Sequence, residues 1–141
     1  MTMICHRQPQ RYSAAFPASL GSAREARRFV EAALGRAGVQ DQALADRLTL
    51  ATSELVTNAV VHAGSEAEVQ ITVDQAFVWL EVADKSAALP ERTPPSVTST
   101  QGRGLVLVDA LARAWGVAPA SAGFGKSVWV QVSRGQSSRD V

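Results

Sequence analysis

The apolar residues of this chain change period, and that change bounds the folds open to it. From Ala26 to Ala59 they recur every three or four residues, the spacing of one helix face. From Val69 to Val82, and again from Val128 to Val132, they alternate with other residues, the period of a strand with one buried face. Amphipathic helices and half-buried strands in one chain must cover each other. The expected architecture is therefore an α+β two-layer sandwich, a mixed and mostly antiparallel sheet with three helices on one face.

Local signals place the elements. Arg11 to Phe16 reads as an edge strand ended by Pro17. Ser22-Ala23-Arg24-Glu25 has the form of a capping box opening a helix to about Arg36, with Ala26, Phe29, Val30, Ala33 and Leu34 inward. Gly38 suits its stop, and Asp41 the N-cap of a second helix. That helix buries Leu44, Leu48, Ala51, Leu55 and Ala59 and ends at Gly64, about 33 Å long. Two strands follow, joined near Asp74-Gln75, and the second runs into Asp84-Lys85-Ser86. Residues 87–101, with Pro90, Pro94 and Pro95, read as a long surface loop, the kind that serves as a functional lid. A third helix is expected after Gly102, with Leu105, Val108, Leu111 and Ala112 inward, then strands around Trp115-Gly116-Val117 and Val128–Val132. The expected organisation is a leader at 1–10, one domain at 11–133 and a polar tail at 134–141.

Composition narrows the function classes. A net charge of +1 and the lack of any Lys/Arg run give no electrostatic footprint for direct nucleic-acid or anionic-membrane binding. Cys5 is the only cysteine, so neither an internal disulfide nor a cysteine-based zinc site is expected. There is no apolar leader segment and no run of bilayer length, which points to a cytoplasmic protein.

Within the second helix Glu54, Asn58 and His62 stand four apart, so all three are expected on one face. A carboxylate can take a proton and an amide oxygen can hold Mg²⁺, although a solvated polar stripe has the same spacing. His62 by itself suits a structural place as well as a ligand. Asp84 stands where a core strand leaves the sheet. There it can accept a hydrogen bond from an exocyclic amine such as that of adenine, or merely cap the turn. Gly102-Arg103-Gly104 at a helix mouth is suited to an anion, or simply eases a loop into a helix. The stretch Ala120 to Ser127 fits a permissive P-loop pattern, but Val128-Trp129-Val130-Gln131-Val132 continues it as a strand, so a turn is expected. No Ser or Cys triad and no His-Glu-x-x-His metal motif emerges.

Four pieces occur in one order: Glu54-x-x-x-Asn58-x-x-x-His62, Asp84-x-Ser86-x-x-x-Pro90, Gly102-Arg103-Gly104-Leu105-x-Leu107-Val108 and Gly125-Lys126-Ser127-Val128-Trp129. This set, over residues 12–133, closely resembles the GHKL ATPase superfamily with its Bergerat nucleotide fold. Within it, the chain is similar to the short bacterial anti-sigma-factor serine/threonine kinases. The resemblance implies ATP and Mg²⁺ as cofactors, with Asn58 on the metal and Glu54 as general base. It implies Asp84 as reader of the adenine amine, residues 87–101 as the ATP lid, and Gly102, Arg103 and Gly104 on phosphate. His62, Ser86, Leu105, Lys126 and Ser127 would complete the nucleotide site. The implied function is phosphorylation of an anti-sigma-factor antagonist together with sequestration of a sigma factor, in a protein that can form homodimers. The alternative is a catalytically inactive module acting by protein binding only. The family's kinases commonly show Asp-x-Gly-x-Gly where this chain has Asp84-Lys85-Ser86-Ala87-Ala88; this variant implies altered affinity rather than lost binding. No helical segment with a phosphoacceptor histidine precedes the domain, so a sensor histidine kinase is not expected.

Overall fold

The computed structural model describes residues 8–86, 112–120 and 124–134, apart from the side chain of His62. Among the described residues five strands and two α-helices run in the order β1 (Gln10–Phe16), α1 (Ser22–Arg36), α2 (Gln42–Thr57), β2 (Ala67–Val73), β3 (Phe77–Asp84), β4 (Ala114–Pro119) and β5 (Lys126–Ser133). The strands form one sheet in the order β1-β2-β3-β5-β4, antiparallel at every pairing. The expected mixed sheet is thus wholly antiparallel among the described residues. The expected third helix, the lid at 87–101 and the Gly102–Gly104 turn lie outside them, as do residues 1–7 of the leader and 135–141 of the tail.

One face of the sheet is apolar because the strand period puts Val69, Ile71 and Val73, then Val78, Leu80 and Val82, then Val128, Val130 and Val132 on the same side. The stripes of α1 and α2 close over it: Ala26, Val30, Ala33 and Leu34 from one, Leu44, Leu48, Ala51 and Leu55 from the other. Phe29 of α1 meets Phe16 of β1 edge to face at 5.9 Å, pinning the edge strand to the helix layer. Trp129, on the opposite sheet face, lies over Gly116, where any Cβ would come within 2.8 Å of its ring. Arg134, expected to open the tail, is held by its amide on Ala76 O and its guanidinium on Asp74 O.

The helix ends follow their chemistry, with one correction. Asp41 caps α2 as expected, its carboxylate accepting from the Leu44 amide at 3.2 Å. Gly38 and Gly64 take φ of +80° and +62°, the left-handed stops their positions demand. Ser22, by contrast, makes no capping box. The helix starts one residue earlier than that motif requires, so Gly21 holds the N-cap position and its carbonyl takes the Glu25 amide. Ser22 turns inward instead and donates its hydroxyl to Pro17 O, tying down the turn that follows β1.

The second correction concerns the end of α2. The α-helix stops at Thr57, and Asn58–His62 form a single π turn, closed by the Ala63 amide on Asn58 O at 3.1 Å. A π turn closes on bonds five residues apart rather than four, so it holds an extra residue. Asn58 opens this turn and His62 ends it.

Two stability measurements check this reading. Leu48→Ala, at a fully buried position, should lower the unfolding free energy by about 2–5 kcal/mol, whereas Leu50→Ala, on the exposed side of the same helix, should change it by less than about 0.5 kcal/mol. Asp41→Ala should cost about 1 kcal/mol by urea denaturation, with no change in slope.

Candidate functional site

The topology gathers the chemistry-bearing residues at one end of the sheet. The chain leaves the π turn and enters β2 within a few residues, so the C-terminal end of α2 stands beside the start of β2. Antiparallel pairing sets the start of β2 against the end of β3, Glu68 opposite Ala83, and the end of β3 against the start of β5, Asp84 opposite Lys126. Asn58, Asp84 and Lys126 therefore belong to the same edge of the sandwich. Ser65 stitches it, its hydroxyl accepting from the Lys85 amide at 2.9 Å, and Lys85 pairs with Glu66 at 3.3 Å on the surface.

Glu54 and Asn58 are half-buried. They flank the stripe of Leu55 and Ala59 rather than standing in open solvent, which does not suit a merely solvated stripe. Ser53, next to Glu54, accepts from the Arg27 guanidinium at 3.0 Å and so ties this part of α2 to α1.

Asp84 points to the helix side of the sheet, continuing the inward row of Val78, Leu80 and Val82, and only 6% of it is exposed. Both of its oxygens lie 2.9 Å from Lys126 Nζ. Oδ1 also accepts from the Ser86 amide at 2.8 Å, the hydrogen bond of an Asx turn. The Gly125 amide donates to the Asp84 carbonyl at 2.7 Å and locks the strand end. Asp84 thus caps its turn and also presents a buried carboxylate. Lys126 begins β5, as expected of a turn feeding a strand and not of a P-loop feeding a helix.

The expected site residues divide accordingly. Glu54, Asn58, Asp84, Ser86 and Lys126 come together at this end of the fold. The backbone of His62 lies in the π turn. Ser127 takes the alternate position on β5, paired with Ala83 on the face away from the helices, because successive strand residues point to opposite sides. Gly102, Arg103, Gly104 and Leu105 lie outside the described residues. The pairing that sequence reasoning missed is Asp84 with Lys126, 42 positions apart; only the strand alternation of Val128, Val130 and Val132, extended back two residues, hinted that Lys126 faces inward.

This donor and acceptor set suits a nucleotide. A buried carboxylate at a strand end is fitted to an exocyclic amine. Among the described residues no three His, Cys, Asp or Glu side chains converge as a metal cage. Mg²⁺ needs no such cage, since it commonly keeps waters and phosphate oxygens and takes few protein ligands. Among the described residues no helix is long and apolar enough to cross a membrane.

Comparison with known proteins agrees with this geometry. The family model of the histidine kinase-like ATPase domain matches residues 16–131. Among curated proteins none matches the chain. Among solved structures, the fold is similar to the RsbU and RsbW domains of Rv1364c from Mycobacterium tuberculosis, with a TM-score of 0.65 and 19% identity, over 89% of this chain. The chain spans 33% of that protein chain. A family match over most of the sequence, an antiparallel sheet under two helices, and a buried aspartate at the end of β3 lead to one conclusion: the chain belongs to the histidine kinase-like (GHKL) ATPase family.

Proposed function

We propose that this domain is an anti-sigma-factor-type regulator, a protein serine/threonine kinase that uses ATP and Mg²⁺ to phosphorylate an anti-sigma-factor antagonist and that also sequesters a sigma factor. The observation that carries the reading is the meeting of the Glu54–Asn58 end of α2 with Asp84 at one end of the sheet, in a chain of an ATPase family. The fold it shares with a chain containing an RsbW domain supports the choice of subgroup.

The chain's own groups have distinct tasks in this reading. Asp84 takes a hydrogen bond from the adenine amine. Asn58 offers its amide oxygen to Mg²⁺, while Gly102, Arg103 and Gly104 hold phosphate. His62, Ser86, Leu105 and Lys126 border the nucleotide. Glu54, half-buried four residues before Asn58, accepts the proton of a substrate hydroxyl. ATP, when bound, supplies the phosphoryl group, and transfer of this kind depends mainly on positioning and charge stabilisation. No part of the reading needs nucleic acid or membrane. A homodimer is part of the proposal.

A second reading, a module that binds its partners without catalysis, is favoured by the absence of glycines after Asp84. Labelled ATP, Mg²⁺ and the antagonist proteins of the same genome separate the two. Label should appear on a serine or threonine of one antagonist. Glu54→Ala should slow transfer by about 10²–10⁴-fold while leaving equilibrium ATP binding largely intact. Binding of ATP with no transfer to any antagonist would select the second reading. In a parallel titration, Asn58→Ala should lose most of the Mg²⁺-dependent gain in ATP affinity; an unchanged Mg²⁺ dependence would remove Asn58 from the metal.

A further inference from the structure

The inward faces of β3 and β5 form a row of cross-strand pairs: Val78 with Val132, Leu80 with Val130, Val82 with Val128, then Asp84 with Lys126. Three apolar pairs are followed by one ionic pair in an equivalent position. The fourth is almost as enclosed as the rest, with Asp84 6% and Lys126 8% exposed. Taking two charges out of water is expensive, and an apolar pair of similar volume often serves stability as well or better. A fourth apolar pair would extend the same core, so stability alone does not account for this one.

The geometry defines what the pair does. Lys126 Nζ sits 2.9 Å from each carboxylate oxygen, and the Ser86 amide adds a second donor at Oδ1. Among the described residues Oδ2 accepts from Lys126 only. An ionised carboxylate accepts hydrogen bonds and donates none, with about four lone-pair positions for them. Two donors on Oδ1 and one on Oδ2 fix its orientation and leave the lighter load on Oδ2.

We propose that Lys126 is a positioning and specificity-determining residue for the base: it holds Asp84 as an oriented acceptor, so that the site takes a 6-aminopurine and rejects a purine with an acceptor at that position. This rests on the nucleotide-binding reading given above. It assigns Lys126 to the base end of the site through Asp84 rather than to phosphate. A neutral side chain at 126 would hold the carboxylate by a weaker, one-sided hydrogen bond, and an acceptor free to turn separates an amino from an oxo substituent less sharply.

Equilibrium titration of the magnesium complexes of ATP and ITP, which differ at purine position 6, tests the proposal. The wild-type protein should prefer ATP by at least about 100-fold, since sites built around a hydrogen bond reject partners that cannot make it. Lys126→Arg, which keeps the cation, should hold that ratio within about threefold. Lys126→Gln, which can still donate to Asp84 but carries no charge, should lower it at least about tenfold, mostly by weaker ATP binding. The double variant Asp84→Asn/Lys126→Met removes both charges together, so no charge is left buried alone. It should bind the two nucleotides about equally, and it carries the test if the glutamine variant does not fold. A wild-type ratio retained in Lys126→Gln or in the double variant would overturn the proposal. So would tighter ATP binding by Lys126→Gln, which would show the ammonium competing with the base. Equal binding of both nucleotides by the wild type would overturn the proposal and leave the nucleotide site standing. Binding of neither would overturn that reading as well.

Discussion

The antiparallel register of β3 against β5 is the constraint on which the rest of this molecule depends. It sets Val78, Leu80 and Val82 opposite Val132, Val130 and Val128, giving the helices a continuous apolar floor. A slip of one residue would turn that row to the other face and expose it. The same register puts Asp84 directly across from Lys126, so the core and the candidate site are two ends of one pairing.

α2 carries a similar double duty. Its stripe of Leu44, Leu48, Ala51 and Leu55 covers the sheet, while Glu54 and Asn58 beside the stripe stay half-buried. The final turn widens at Asn58, with the Ala63 amide on the Asn58 carbonyl five residues back. Such turns are frequent at functional positions, and this one begins at the residue expected on Mg²⁺.

Belonging to an ATPase family does not by itself assign a chemistry, because function resides in sites placed on folds. In the proposed function nucleotide binding draws on the buried carboxylate and the helix end beside it, and phosphoryl transfer draws on Glu54. These are separable properties. A chain could keep the first and lose the second.

Periodicity made the elements legible in the sequence. The stripes of both helices, the hairpin at Asp74 and the inward strand rows follow from local spacing, and Asp41, Gly38 and Gly64 act through their own backbone preferences. The ordered motifs made the family legible as well. Tertiary structure decided what local spacing does not encode. Ser22 had a capping motif, yet its hydroxyl went to Pro17, because the start of α1 depends on how the preceding turn packs. The end of α2 had α-helical spacing, yet its last turn widened, because an α-helix and a π turn read almost alike over five residues. Ser127 and Lys126 are neighbours in sequence, but the pleat sends them to opposite faces. The partner of Asp84 was set by strand pairing across 42 positions, a distance over which only the folded sheet brings a cation to an anion.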